Sequence, residues 1–140
     1  MNSILVSEAI DNIKRWHNEA CERMEVWHRG AFPDCSQKII RPRYKIIYKV
    51  TRNAGTYFAR KHTCVYPLAY CILAKEDYRI TVIHEVVHGY QWQILPICKA
   101  HCDFFHFLMR KVMGVENSRR CHPYSVVKAK QIARILEVIE

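Results

Sequence analysis

The segment from about Tyr78 to Gln93 constrains this chain most. Ile80, Val82, Ile83, Val86, Val87, Tyr90 and Trp92 recur there at helical spacing and leave almost no polar face. A helix that is apolar all round belongs at the centre of a fold. Yet its middle reads His84-Glu85-Val86-Val87-His88. Two imidazoles and a carboxyl are expensive to bury unless they are paired or bound to a metal. On a helix, positions i and i+4 share one face, about 6 Å apart. His84 and His88 can therefore reach one Zn²⁺, which binds imidazole nitrogen at about 2.0–2.1 Å. Glu85 lies one residue along, where it can hold a water activated by the metal and take its proton as general base. The bland alternative is two structural histidines beside a salt-bridged Glu85.

A catalytic zinc site normally takes three protein ligands and keeps one position open. The close-spaced form HExxHxxGxxH is absent, because Gln91 and Ile94 stand where its Gly and final His would be. Downstream candidates are His101, His106, Cys98, Cys102, Asp103, Glu116 and His122. The spacing of His101 to Phe105 and Leu108 puts it on the core-facing side of a following helix, whereas His106 falls beside that stripe. This favours His101 and leaves His106 and Cys98 open. Nothing in the sequence decides whether Tyr90, Gln91 and Trp92 line a cleft or pack away from it.

The remaining sequence reads as one α+β domain over residues 1–140. A helix is predicted from about Ser3 to His28, with Val6, Ala9, Ile10, Ile13, Trp16, Ala20, Met24 and Trp27 as its apolar stripe. Three strands follow, near Tyr44 to Thr51, Thr56 to Ala59 and His62 to Tyr66, with turns at Arg52-Asn53-Ala54-Gly55 and Arg60-Lys61. Local turns between short strands suggest a small antiparallel sheet. Pro67 ends it, a short apolar segment follows from Leu68, and Asp77 is placed to cap the central helix. Further helices are predicted from about Asp103 to Met113, stopped by Gly114, and from about Ser125 to Ile139.

Charge adds a second theme. The net charge is +9, and no Asp or Glu occurs from Ser36 to Lys75. That stretch holds Lys38, Arg41, Arg43, Lys45, Lys49, Arg52, Arg60, Lys61 and Lys75. It suits a polyanion such as nucleic acid, or it is merely a solvated basic face. Phe58, Tyr57, Tyr66 and Trp92 could stack on bases if exposed, but aromatics in such places more often pack in cores. No apolar run approaches the ~18 residues of a membrane span. The N-terminus lacks a basic start and is interrupted by Glu8 and Asp11, so no signal peptide is expected and an intracellular location is. Seven cysteines in an odd number, with no CxxC pair, are expected to be free thiols.

From Thr81 to Tyr124 the sequence resembles the catalytic domain of SprT-like proteins, which include bacterial SprT and the Spartan proteases of DNA–protein crosslinks. The family pattern is HExxH, a loop, an HGxxF or HGxxW segment, a short helix, and later a His followed at two residues by an aromatic. Here these read His84-Glu85-Val86-Val87-His88, then His101-Cys102-Asp103-Phe104-Phe105, then Leu108 to Val115, then His122-Pro123-Tyr124. Upstream, Ala54-Gly55-Thr56 and Val65-Tyr66-Pro67 also resemble the family's strand region. The resemblance implies a zincin-like fold with one catalytic zinc ion on His84, His88 and His101. It also implies that His122 or Tyr124 lies beside the metal, able to contact substrate or a developing oxyanion.

Two departures matter. Cys102 replaces the family's Gly, and would be strained if that position needed a positive φ. The CxxC…CxxC zinc ribbon that follows this domain in many relatives has no counterpart, so DNA contact would fall to the basic region from Lys38 to Lys61. Three functions follow as expectations: a zinc endopeptidase acting on proteins held at DNA, a metallopeptidase with no DNA role, or a non-catalytic nucleic-acid-binding module with a structural zinc. Intact Glu85 speaks against the last, since a structural site gains nothing from a base there.

Overall fold

The computed structural model describes residues 3–116 and 124–139. The predicted N-terminal helix, α1, spans Ser3–Ala31, and buries Ile13, Trp16, Ala20 and Met24 from the expected stripe, together with His17, Cys21 and His28. The central helix, α3, spans Tyr78–Ile94, with Val82, Ile83, Val86, Val87 and Tyr90 buried. Between them come β1 (Arg43–Ile47), β2 (Thr56–Phe58), β3 (Thr63–Pro67) and α2 (Leu68–Ala74). α4 (Asp103–Phe107) runs into a π turn at Leu108–Val112, and α5 spans Val126–Ile139. Gly114 has φ +72°, and its left-handed turn lets the Val115 N–H return to the Met109 carbonyl at 2.9 Å. Among the described residues, no helix is long and apolar enough to cross a membrane.

Asp77 does not cap α3. A 3-10 turn over Lys75–Asp77 feeds straight into the helix, Asp77 has helical backbone angles, and it makes no side-chain capping bond. At the other helix with a sequence-readable start, Ser125 Oγ accepts from the Lys128 N–H at 3.2 Å.

The sheet is mixed, not antiparallel. Its order is β1-β3-β2, with β1 parallel to β3 and β2 antiparallel to β3. The hairpin between β2 and β3 forms as predicted. The turn at 52–55 does not close a second hairpin. It belongs to a loop that carries the chain past β3 to its far edge. Tyr70 and Tyr78 hold that loop, donating their hydroxyls to the Thr51 and Ala54 carbonyls. Alternation then sorts the two faces. Tyr44 packs on His17 of α1 (ring centroids 5.0 Å apart), and Tyr57 stacks on Trp92 of α3 (5.7 Å). Arg43, Lys45 and Phe58 lie on the opposite face and are exposed.

Polar anchors join these layers. His17 is buried, with Nδ1 2.9 Å from the Tyr66 hydroxyl and Nε2 2.9 Å from the Pro42 carbonyl. Arg41 donates two hydrogen bonds to Glu25, at 2.9 and 2.8 Å, and Tyr90 donates a third at 2.8 Å. The irregular stretch 32–42 is held at Ile40 by the Gln93 amide, which accepts from its N–H at 2.7 Å and donates to its carbonyl at 2.8 Å.

The cysteines depart from expectation in one place. Cys98 and Cys102 form a disulfide rather than two free thiols. The turn between α3 and α4 brings their Cα atoms to 6.2 Å, within the span a disulfide bridges. Cys21, Cys64 and Cys71 are buried free thiols and Cys35 is an exposed one, while Cys121 lies outside the described residues.

Candidate metal centre

α3 sets His84 and His88 one turn apart on the same face, as their spacing requires. The turn after α3 then doubles the chain back and brings His101 to them. His84 Nε2 lies 3.1 Å from His88 Nε2 and 3.2 Å from His101 Nε2. All three ligand atoms lie within 4.8 Å of one another. Nitrogens bound tetrahedrally to one ion at the usual Zn–N distance would be about 3.3 Å apart. Phe105 lies against all three rings, with centroids 4.9 Å from His84, 4.5 Å from His88 and 5.1 Å from His101. Trp92 stacks on the other side of His88 at 5.2 Å.

The electrostatics suit a cation. Burial, with His88 and His101 close by, pushes His84 down to about 3. Burial likewise pushes His88 down to about 4. Both are therefore neutral near pH 7 and offer lone pairs. Glu85 is 6 % exposed, its Oε1 is 3.9 Å from His84 Nε2, and its Oε2 is buried with no hydrogen-bond partner. Burial pushes its carboxyl up to about 8. An orphaned carboxylate oxygen beside three converging imidazoles is the donor set a metal and its water would satisfy. The salt-bridged Glu85 of the bland alternative has no Lys or Arg partner among the described residues.

Two glycines bring neighbouring chain onto this helix. A Cβ on Gly55 would meet Thr81 Cγ2 at 3.0 Å and Glu85 Cγ at 3.1 Å. One on Gly89 would meet Pro42 Cγ at 2.9 Å. A side chain at 89 would force Pro42 to shift, and one at 55 would need Thr81 and Glu85 to give by a few tenths of an ångström.

Of the alternatives for a third ligand, His101 alone joins the trio among the described residues. Cys98 and Cys102 are bound to each other, and His106 packs its ring on Phe105 at 5.4 Å. Cys102 has φ −73° and ψ 176°, so this position needs no glycine. His122 lies outside the described residues. Tyr124 meets Thr81 Oγ1 at 2.7 Å and packs on Tyr70 and Tyr78, one turn before His84 and Glu85.

Gln91 and Trp92 belong to the surroundings of the site. Gln91 Oε1 is 2.9 Å from His88 Nδ1, and Trp92 Nε1 donates to the Cys98 carbonyl at 3.0 Å. The sequence carries one signal for Gln91, a carboxamide three residues after a candidate ligand on the same helix face.

Residues 17–126 match the SprT-like family. No curated protein and no solved structure matches the chain.

Proposed function

The chain belongs to the SprT-like family, and from that premise we propose that it is a zinc-dependent endopeptidase, with His84, His88 and His101 as metal ligands and Glu85 as general base. The observation that carries this reading is the convergence of three imidazole nitrogens beside the buried, unpartnered Glu85 carboxylate. Zinc bound there would polarise the scissile carbonyl and acidify a water. Glu85 holds that water and takes its proton, then delivers it to the leaving amine. Burial alone raises the proton affinity of its carboxyl. A bound cation would draw its pKa back down, which keeps the group ionised at neutral pH.

The fold supplies a place for the substrate. β2 is an edge of the sheet among the described residues, and Gly55 just before it lies against Glu85. An extended peptide pairing with that edge would lead its backbone toward Glu85. The helices and sheet share one core, and we read them as one catalytic unit.

The substrate class we propose is protein held on DNA. All nine basic residues found between positions 36 and 75 are exposed. Arg43 and Lys45 share the open face of the sheet with Phe58, an array of two charges and an exposed ring that suits a nucleic-acid strand. Arg41 is already committed to Glu25 and contributes little.

The test is to incubate the chain with Zn²⁺ and a DNA-binding protein, with and without single- and double-stranded DNA, beside Glu85→Gln. Cleavage that needs DNA and Glu85 supports the full reading. Cleavage indifferent to DNA leaves a metallopeptidase without a DNA role. Bound zinc and DNA with no cleavage under any of these conditions points to the non-catalytic module.

A further inference from the structure

Gln91 is completely buried, and both ends of its amide are engaged. Oε1 faces His88 Nδ1 at 2.9 Å, while Nε2 faces the Lys99 carbonyl at 2.7 Å and Cys98 Sγ at 3.0 Å. An amide can be turned end for end, so its partners must decide its orientation. A main-chain carbonyl only accepts. Lys99 therefore demands the amide nitrogen on its side, which leaves the amide oxygen facing His88. That oxygen also only accepts, so His88 Nδ1 must carry the ring proton. His88 Nε2 is then bare, and Nε2 is the atom that faces the trio, 3.1 Å from His84 Nε2.

We propose that Gln91 is a positioning residue of the metal centre. It fixes His88 in the tautomer that binds through Nε2, and the same amide fastens the turn that carries His101. This rests on the metal reading above. Ligating histidines usually give their other N–H to a carboxylate, a carbonyl or water. Here the acceptor is a side-chain amide whose own orientation is dictated by the loop bearing another ligand. Two successive ligand-bearing segments, α3 and the turn after it, are thus set by one group. Trp92 reinforces the tether through its bond to the Cys98 carbonyl.

The test measures zinc affinity of the full chain by competition with a chromophoric chelator, and the ligand-field absorption of the Co²⁺ form. Gln91→Met keeps length and removes both hydrogen-bonding ends. It should bind zinc about 10–100-fold more weakly and alter the Co²⁺ spectrum, with far-UV circular dichroism of the metal-free chain unchanged. Gln91→Glu keeps the acceptor for His88 but turns a second acceptor toward the Lys99 carbonyl, so it should recover only part of the loss. Binding by Gln91→Met equal to wild type, or a Glu variant that binds as tightly as wild type, would overturn the inference. Should Gln91→Met not fold, imidazole ¹⁵N spectra of the wild-type zinc form decide. His88 ligated through Nε2 with a slowly exchanging Nδ1–H is expected, and ligation through Nδ1 overturns the proposal. A wild-type chain that binds no zinc removes the metal reading itself and this inference with it, an outcome distinct from zinc binding that ignores residue 91.

Discussion

His101 Nε2 lies 3.2 Å from His84 Nε2 across a separation of 17 residues. The turn between α3 and α4 thus closes a three-nitrogen set that α3 alone leaves incomplete. His101→Ala should lower zinc affinity by more than the about 10–100-fold that loss of an outer hydrogen-bond partner costs. Chelator competition measures it. An unchanged affinity would mean that another group completes the site.

Glu85→Gln should separate chemistry from metal binding. The amide cannot take a proton, but it fills the same buried space. Peptide hydrolysis should fall by about 10²–10⁴-fold, with the zinc content of the purified protein preserved. Comparable hydrolysis by this variant and wild type would remove Glu85 from the mechanism.

The open sheet face makes a sharper electrostatic prediction than net charge does. Reversing Arg43 and Lys45 to Glu should weaken DNA binding and flatten its salt dependence, because each lost phosphate contact lowers the slope of log K against log salt by about 0.9 on duplex DNA. Arg41→Gln should barely alter that slope, since Arg41 already pairs with Glu25. Equal effects of the two changes would argue for a diffuse field instead of a surface.

His17 gives a pH signature remote from the candidate metal centre. Burial holds its pKa below the usual 6.5, against a smaller upward pull from the Pro42 carbonyl. The unfolded chain therefore takes up the proton first as pH falls. The stabilising contribution is fully present above about pH 6.5 and is lost progressively below it. His84 and His88 act in the same direction, so the His17 share is the part that His17→Gln removes. Denaturant unfolding of metal-free protein from about pH 7.5 to pH 5 reads it. Equally steep loss in both chains would contradict the assignment.

The Cys98–Cys102 bridge predicts a chemical pattern. Without reductant, alkylation should modify Cys35 and spare Cys98 and Cys102, and mass spectrometry after digestion would show this. Removing the bridge should cost about 2 kcal/mol at most, because so short a loop restrains the unfolded chain little. Ready alkylation of Cys98 in native protein would refute the pairing.

Helix positions were legible because period 3.6 reports directly on burial, and α1, α3 and α5 lie where their stripes put them. Strand period 2 identifies faces but not neighbours. The turn at 52–55 therefore reads as a hairpin, whereas β1 and β2 both pair with β3 and the loop, held by Tyr70 and Tyr78, carries the chain across. The His84–His88 pair could be read from helix geometry alone. The residue pattern favoured His101 without closing the choice, since its approach depends on a turn, and turns follow tertiary contacts such as Gln91 to Lys99. Four-residue cysteine spacing has no motif value, so the disulfide was invisible until the turn was known.

Irregular backbone is what an endopeptidase most readily cuts, including its own. In residues 32–42 the Gln93 amide grips Ile40 from both sides, as a neighbouring strand would. The N–H and carbonyl groups that a cleavable strand must present to a protease edge are already occupied there. On the reading proposed here, the Gln93 side chain, with His62 Nε2 on the same carbonyl, shields the C-terminal end of that stretch from self-digestion, and replacing Gln93 would show first as a new terminus near residue 40 in aged preparations.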